Sequence, residues 1–382
     1  MKRLQRLGGR KETLSLSTEK TAPSFGELRT TVSETFTVKD AYIDPVGVPT
    51  FVIEEADKHR FLQLVKAFSK YSVVPTLRRH GDDLLIRVFP RPVTKQRKTI
   101  YNWILFAATV FTVVLAGYFL WSQSTVQRGL VGSQSGAVTE VGLFTLSLFA
   151  IIGLHEIGHK IACEINGMES TMPYFIPGIP PTGTFGAVIS LRSPPTNRDS
   201  LFDLGFSGPF VGFVSIVIVS ILSIQMSFLI PTSQAELWER MGLIQTVSWP
   251  QYPLLFDLLI PIVRGIPQGF TLFFTQIEFA AWVGSLVSFL NLLPVWQLDG
   301  GHMSRAVLGP KWHKIAGWVG LGVMVLSGFW AFALLLSIMM MRGGRGMSGV
   351  EPLDDISELS KSRRILWIAT LAMMITTFVS IG

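Results

Sequence analysis

The sequence predicts a polytopic α-helical membrane protein with about six transmembrane helices, a small N-terminal α/β soluble domain and a candidate membrane-embedded β-hairpin. Three observations carry this prediction. Of 382 residues, 48% are hydrophobic, including 27 Phe, 10 Trp and 13 Met. Only 15% are charged, against roughly 25% in a soluble chain, and mean hydropathy is +0.43. From residue 100 onward the chain is a succession of long apolar runs. This composition excludes intrinsic disorder, a disulfide scaffold and a collagen-like rod. The single cysteine, Cys163, can form neither an intramolecular disulfide nor a Cys-rich zinc site.

Residues 1–30 are polar and basic and lack the apolar core of a secretory signal, so they read as a flexible basic tail; the early Arg and Lys residues leave a transit peptide as the alternative, weakened by Glu12 and Glu19. Residues 31–95 read as a small soluble domain of order β-α-β-β. Val48–Glu54 alternates as a strand, and Ala56–Tyr71 sets Phe61, Leu64, Val65 and Phe68 on one helical face. Val73–Arg79 and Leu84–Phe89 then read as strands joined by a turn at His80–Asp83. No motif in this domain carries chemistry.

Residues 100–382 form the membrane domain. A bilayer core about 30 Å thick needs roughly 20 helical residues to cross it. The candidate spans are 100–121, 141–163, 202–230, 270–293, 314–341 and 365–381. The run 254–263 is too short and contains Asp257 and Pro261, so it reads as an interfacial or re-entrant piece. Arg91, Lys95, Arg97 and Lys98 crowd the entrance to the first span, whereas its exit loop, 122–139, carries only Arg128. By the positive-inside rule the N-terminus is cytoplasmic, with Arg342 and Arg345 as the dissent.

The chemistry lies within the second span, as His155-Glu156-Ile157-Gly158-His159. Histidines at i and i+4 stand one turn apart on one helical face, the separation two ligands of one zinc ion need. The intervening glutamate is placed to act as general base. Two histidines and a glutamate inside a membrane helix are costly and mark a functional site. The plainer reading, that they only hydrogen-bond a neighbouring helix, fits less well. A catalytic zinc usually has a third protein ligand and one open position. Asp299 is the best candidate, in the stretch from Asn291 to Gly301, where Pro294 breaks the helix and Gly300-Gly301 permits a tight turn. His302, three residues on, competes for that place. Cys163, one turn beyond His159, reads as a small core residue rather than a fourth ligand. Glu278, deep in the fourth span, is a polar group whose role the sequence leaves open. Trp282 and Trp296 read as packing anchors, and Arg192, Arg198 and Asp199 as solvated loop charges.

HEIGH in one span followed by NLLPVWQLDG after a later one resembles the site-2 protease family of intramembrane zinc metalloproteases. Gly183-Thr184-Phe185-Gly186-Ala187 and Gly208-Pro209-Phe210-Val211-Gly212 are similar to its prokaryotic and plastid-type members. The resemblance covers about 140–310, as catalytic core. It implies one catalytic Zn2+ held by His155, His159 and Asp299, with Glu156 as the base and Asn291 holding the substrate or its scissile carbonyl. It implies hydrolysis of a peptide bond within or near the transmembrane segment of single-span membrane proteins. The run Gly183–Leu191 reads as a strand that could pair with an unwound substrate, making Gly183, Thr184, Phe185 and Gly186 substrate-binding candidates; an ordinary loop with a short strand is the plainer alternative.

Two other classes compete. A prenyl-protein-type zinc protease also carries HExxH, but its third ligand is a glutamate in a later helical motif. A non-proteolytic homologue, chaperone-like or transporting, would most simply have lost Glu156, which is present. The basic N-terminal residues lack the aromatic interleaving of a nucleic-acid surface, so anionic membrane lipids, not nucleic acid, are the expected partner. The expected location is a multi-pass placement in the plasma membrane of a prokaryote. Oligomeric state is not written in the sequence.

Overall fold

The structure, a computed structural model, describes residues 23–91, 99–131, 134–245, 248, 250–342 and 349–380. Most of the basic tail, together with Lys95, Arg97, Lys98 and Arg345 of the orientation argument, lies outside the described residues. The chain divides into two units, Met1–Pro92 and Val93–Gly382.

The first unit contains α1 (Phe25–Ser33), β1 (Val38–Ile43), β2 (Pro49–Ile53), α2 (Lys58–Phe68), β3 (Val73–His80) and β4 (Asp83–Pro90). Its antiparallel sheet has the order β1-β2-β4-β3. The apolar face of α2 buries Phe61, Leu64 and Phe68, and the sheet buries Phe51, Leu77 and Ile86. Asp57 caps α2 by accepting the Arg60 backbone N–H, a bond that holds its carboxyl below the usual range.

Two elements depart from the predicted β-α-β-β order. Helix α1 begins inside the segment read as tail, and its signal is the Ser24–Glu27 capping box rather than an apolar run. Strand β1 is an edge strand whose residues are all partly or fully exposed, so it carries no clean apolar alternation.

The second unit begins with α3 (Ile100–Gln123), α4 (Thr125–Val131) and α5 (Gln134–Ile165). Strands β5 (Tyr174–Pro177) and β6 (Thr184–Val188) follow and pair antiparallel, with Tyr174 opposite Val188 and Pro177 opposite Thr184. After α6 (Arg198–Met226) come β7 (Phe228–Pro231), α7 (Thr232–Arg240), α8 (Leu254–Val263) and β8 (Phe270–Phe273). The chain closes with α9 (Gln276–Leu292), α10 (Asp299–Leu326), α11 (Trp330–Arg342) and α12 (Lys361–Thr376).

Three helical segments, Ile100–Gln123, Gly136–Ile165 and Arg198–Met226, are long and apolar enough to cross a membrane. The other three predicted spans take different forms. The apolar run from 270 is divided between β8, which pairs with β7, and α9. The 17 residues of α9 rise about 26 Å. The run 314–341 is interrupted after α10, where Gly328 has φ 91°, and resumes as α11, of 13 residues. Helix α12 has 16 residues. Hydropathy counted apolar residues in each run and was blind to these breaks.

Helices α5, α6 and α9 enclose one apolar core, in which Ile151, Ile216, Ile277 and Ala281 are buried together with Phe256 of α8. A second set of ties is polar. Arg198, in the first turn of α6, donates to the carbonyls of Ala306 (2.8 Å) and Val307 (3.3 Å) in α10. Asp199 accepts the Ser360 backbone N–H and meets Arg363, so neither residue is the solvated loop charge that its sequence context suggests. Arg363 also makes two bonds to Asp203, at 2.7 and 2.6 Å. Arg305 of α10, only 1% exposed, forms a two-point pair with Asp355 in the segment before α12, at 3.0 and 2.7 Å. Removing one partner of such a pair strands a buried charge, at a cost of about 3–5 kcal/mol. Asp355→Ala is therefore expected to lower the thermal unfolding temperature of the detergent-solubilised protein markedly. An unchanged transition would show that the pair contributes nothing.

Candidate metal centre and its cavity

Helix α5 presents His155, Glu156 and His159 in its interior, and all three are buried. One ligand atom from each lies within 4.8 Å of the others. The third wall comes from the turn between α9 and α10. Pro294 follows the end of α9, and the chain reverses through 293–298 with Trp296 at φ 44°. Asp299 is then the first residue of α10. Gly300 and Gly301 lie in the first turn of that helix rather than in the reversal itself. A Cβ on Gly300 would overlap the Leu292 carbonyl, and one on Gly301 the Trp296 carbonyl. These two glycines let α10 start directly against the end of α9.

The result is a triangle of donor atoms. His155 Nε2 lies 3.0 Å from His159 Nε2 and 3.2 Å from Asp299 Oδ2, and His159 Nε2 lies 3.3 Å from Asp299 Oδ1. Ligands about 2.0–2.2 Å from a tetrahedral zinc stand roughly 3.3–3.6 Å from one another, so the triangle is slightly tighter than a zinc shell and close to it. His159 Nδ1 donates to the Leu204 carbonyl of α6 at 2.7 Å. That bond fixes the tautomer and leaves the Nε2 lone pair free for a metal. Two imidazole nitrogens and a carboxylate converge in a buried space in the manner of metal ligands, and the donor set fits zinc.

Glycines on α6 make the approach of the ligand helices feasible. A Cβ on Gly208 would overlap the His159 ring, and one on Gly212 would lie 3.0 Å from His155 Nδ1. On the facing helix a Cβ at Gly158 would stand 2.6 Å from the Ser207 carbonyl. Gly205 performs the same service for α10, where a Cβ would stand 2.5 Å from the Asp299 carbonyl. Gly208→Ala is accordingly expected to displace the His159 ring and to weaken zinc affinity by about tenfold or more, while destabilising the fold by about 1–3 kcal/mol. Zinc titration of the purified variant checks this, and unchanged affinity would show that the ring can yield.

A cavity of about 850 Å³ opens beside the triangle. His155, Glu156, His159 and Asp299 line it, as does Asn291 from the last turn of α9. Strand β6 and its continuation to Leu191 form one wall, including Thr184, Phe185 and Gly186, and the Glu156 carboxylate meets the Ile189 backbone N–H. Among the residues expected to bind substrate, Gly183 does not line the cavity. It is seated on α3, where a Cβ would stand 2.5 Å from the Thr112 carbonyl.

His302 also lines the cavity, one turn beyond Asp299, with its Nδ1 sealed from solvent and without a partner; the donor triangle closes on Asp299. Cys163 packs with Met168 and Leu204 as a core residue. Glu278 lies outside the cavity and faces Tyr252. Sequence reasoning did not find Gly205, the Leu204 carbonyl or the specific duty of Gly208. Only the quoted GPFVG stretch hinted at the last of these.

Membrane-length helices that bury an HExxH pair against an aspartate define a metallopeptidase-type centre in a membrane protein. Residues 143–328 match the model of Peptidase family M50. Over 298 residues the chain is 26% identical to "Probable zinc metalloprotease EGY2, chloroplastic" of Oryza sativa subsp. indica, covering 76% of this chain and 51% of that protein. Over 246 residues it is 26% identical to "Probable zinc metalloprotease EGY1, chloroplastic" of Arabidopsis thaliana, covering 61% of this chain and 42% of that protein. Over residues 143–328, just under half of its length, the chain is therefore similar to peptidase family M50, the site-2 protease family. It spans about half the length of the curated relatives it matches. Those relatives are named chloroplastic, so they lend no support to a prokaryotic plasma membrane.

Proposed function

We propose that this chain is an intramembrane zinc metalloprotease that hydrolyses a peptide bond within or near the membrane segment of single-span membrane proteins. The observation that carries the reading is the donor triangle of His155, His159 and Asp299, with Glu156 beside it, in a cavity walled by a strand. Those three residues would hold one zinc ion. When bound, zinc supplies Lewis acidity to a water molecule and to the scissile carbonyl. Glu156 takes a proton from the attacking water and passes it to the leaving amide nitrogen. Asn291, on the cavity wall, directs its side-chain amide to the carbonyl oxygen as charge develops there.

The substrate lies extended against β6. A helical peptide bond is closed off by its own hydrogen bonds, so the segment must unwind before attack. Among the described residues strand β6 is paired with β5 along one edge only, and its residues line the cavity. Pairing along the other edge gives an unwound segment main-chain partners in an apolar setting where unmet backbone groups are costly. The cytoplasmic N-terminus and the multi-pass membrane location belong to this same reading, with membrane lipids as surroundings.

Metal dependence tests it. Purified protein treated with a chelator is expected to stop cutting a labelled single-span protein, and one equivalent of zinc is expected to restore cutting. Cleavage that persists after complete zinc removal would refute the reading.

A further inference from the structure

We propose that the first membrane helix, α3, sets the position of the substrate strand through two side-chain clasps, Asn102 and Thr112, on the β5–β6 hairpin. The inference rests on the protease reading and adds the device that holds β6 in register with Glu156. Helix α3 lies outside the residues that match the family model, 143–328.

Asn102 is 9% exposed. Its Nδ2 donates to the carbonyls of Met172 and Pro173, both at 3.0 Å, which uses both amide hydrogens. Thr112 Oγ1 donates to the Gly183 carbonyl at 2.7 Å, a closer acceptor than the carbonyls of Ala108 and Thr109, each at 3.1 Å. Ten residues of helix separate the two clasps, about 15 Å. Strand β5 occupies the interval between the points they grip, which lie before Tyr174 and after Pro177.

Apolar contacts fill the space between the clasps. The Phe106 ring meets Phe175 of β5 at 5.3 Å, and Phe149 of α5 closes the other side at 5.4 Å. At the far clasp the backbones of Gly183 and α3 touch. A Cβ on Gly183 would stand 2.5 Å from the Thr112 carbonyl and 2.6 Å from Val113 Cα, and its φ of 72° also favours glycine. The Gly183 carbonyl additionally accepts the Gly178 backbone N–H at 2.9 Å, tying the hairpin loop to the same point.

The hairpin thus has two unlike sides. Strand β5 is held by α3, and β6 walls the cavity that contains Glu156. A two-stranded sheet alone is marginally stable, so the place of β6 depends on what grips β5. Asn102 and Thr112 touch neither zinc ligand nor Glu156. They are positioning residues.

The test uses the full-length, zinc-loaded protein in detergent with a labelled single-span protein as substrate. Thr112→Val keeps the shape of the side chain and removes the donor, and Asn102→Leu does the same for the amide. The double variant is expected to raise KM about tenfold with kcat within about twofold, in keeping with the loss of two or three modest hydrogen bonds. Zinc content stays at the wild-type level. Backbone hydrogen exchange in Thr184–Val188 is expected to accelerate about tenfold or more, while the amides around His155 keep their protection. Thr112→Ser, which restores the hydroxyl, is expected to behave as wild type. Unchanged KM and β6 exchange would overturn the proposal. So would loss of zinc with a fall in kcat alone, which would make the clasps general supports of the fold. If the wild type cut no single-span protein while β6 exchange still responded as expected, the protease reading would fall and the clasps would stand.

Discussion

Glu156→Gln is expected to reduce proteolysis by about 10²–10⁴-fold, the usual worth of a positioned general base, and to leave zinc content unchanged. Glutamine keeps the size of the side chain and its place against the Ile189 N–H but cannot accept the proton of the attacking water. The three donor atoms of the triangle belong to other residues. Loss of turnover together with retained zinc separates the base from the ligands. A Glu156→Gln protein that cuts at the wild-type rate would show that the proton goes elsewhere, and the mechanism would fall.

Asp299→Ala is expected to remove zinc as well as activity. Truncation takes away both carboxylate contacts, to His155 Nε2 at 3.2 Å and to His159 Nε2 at 3.3 Å. Two facing imidazole nitrogens 3.0 Å apart remain, with no anion to offset the cation. Losing a supporting outer partner typically weakens metal affinity by about 10–100-fold, and losing a ligand is expected to cost more than that. Zinc titration of the variant measures it directly. Wild-type affinity would mean that another group, with His302 the nearest cavity-lining candidate along α10, completes the site.

The clustering of His155, Glu156 and His159 on α5 was legible because an i, i+4 spacing is a property of the helix itself, and because polar residues in an apolar run stand out. Asp299 was legible for a related reason: a proline and two glycines announce an irregular helix end at membrane depth. Gly208 was quoted as part of a motif, yet its reason lies in the His159 ring on another helix, 49 positions earlier in the numbering. No local pattern records such an approach. Gly183 became a substrate-binding candidate because it opens the run read as a strand, Gly183–Leu191; the structure seats it against α3, a contact between positions 71 residues apart. Arg198 and Asp199 read as loop charges because their partners, Ala306, Ser360 and Arg363, are more than 100 residues away. The apolar runs from 270 and from 314 continue through β8 and through Gly328, since apolar content does not report backbone breaks.

The measurement that tests the account most directly is the position of the cut. Purified zinc-loaded protein is incubated with a single-span membrane protein labelled on both sides of its apolar segment, and the product ends are read by mass spectrometry. The account predicts new termini within or at the edge of that segment, produced by the wild type and not by Glu156→Gln. Termini confined to the soluble parts of the substrate, or the same termini from both proteins, would contradict it.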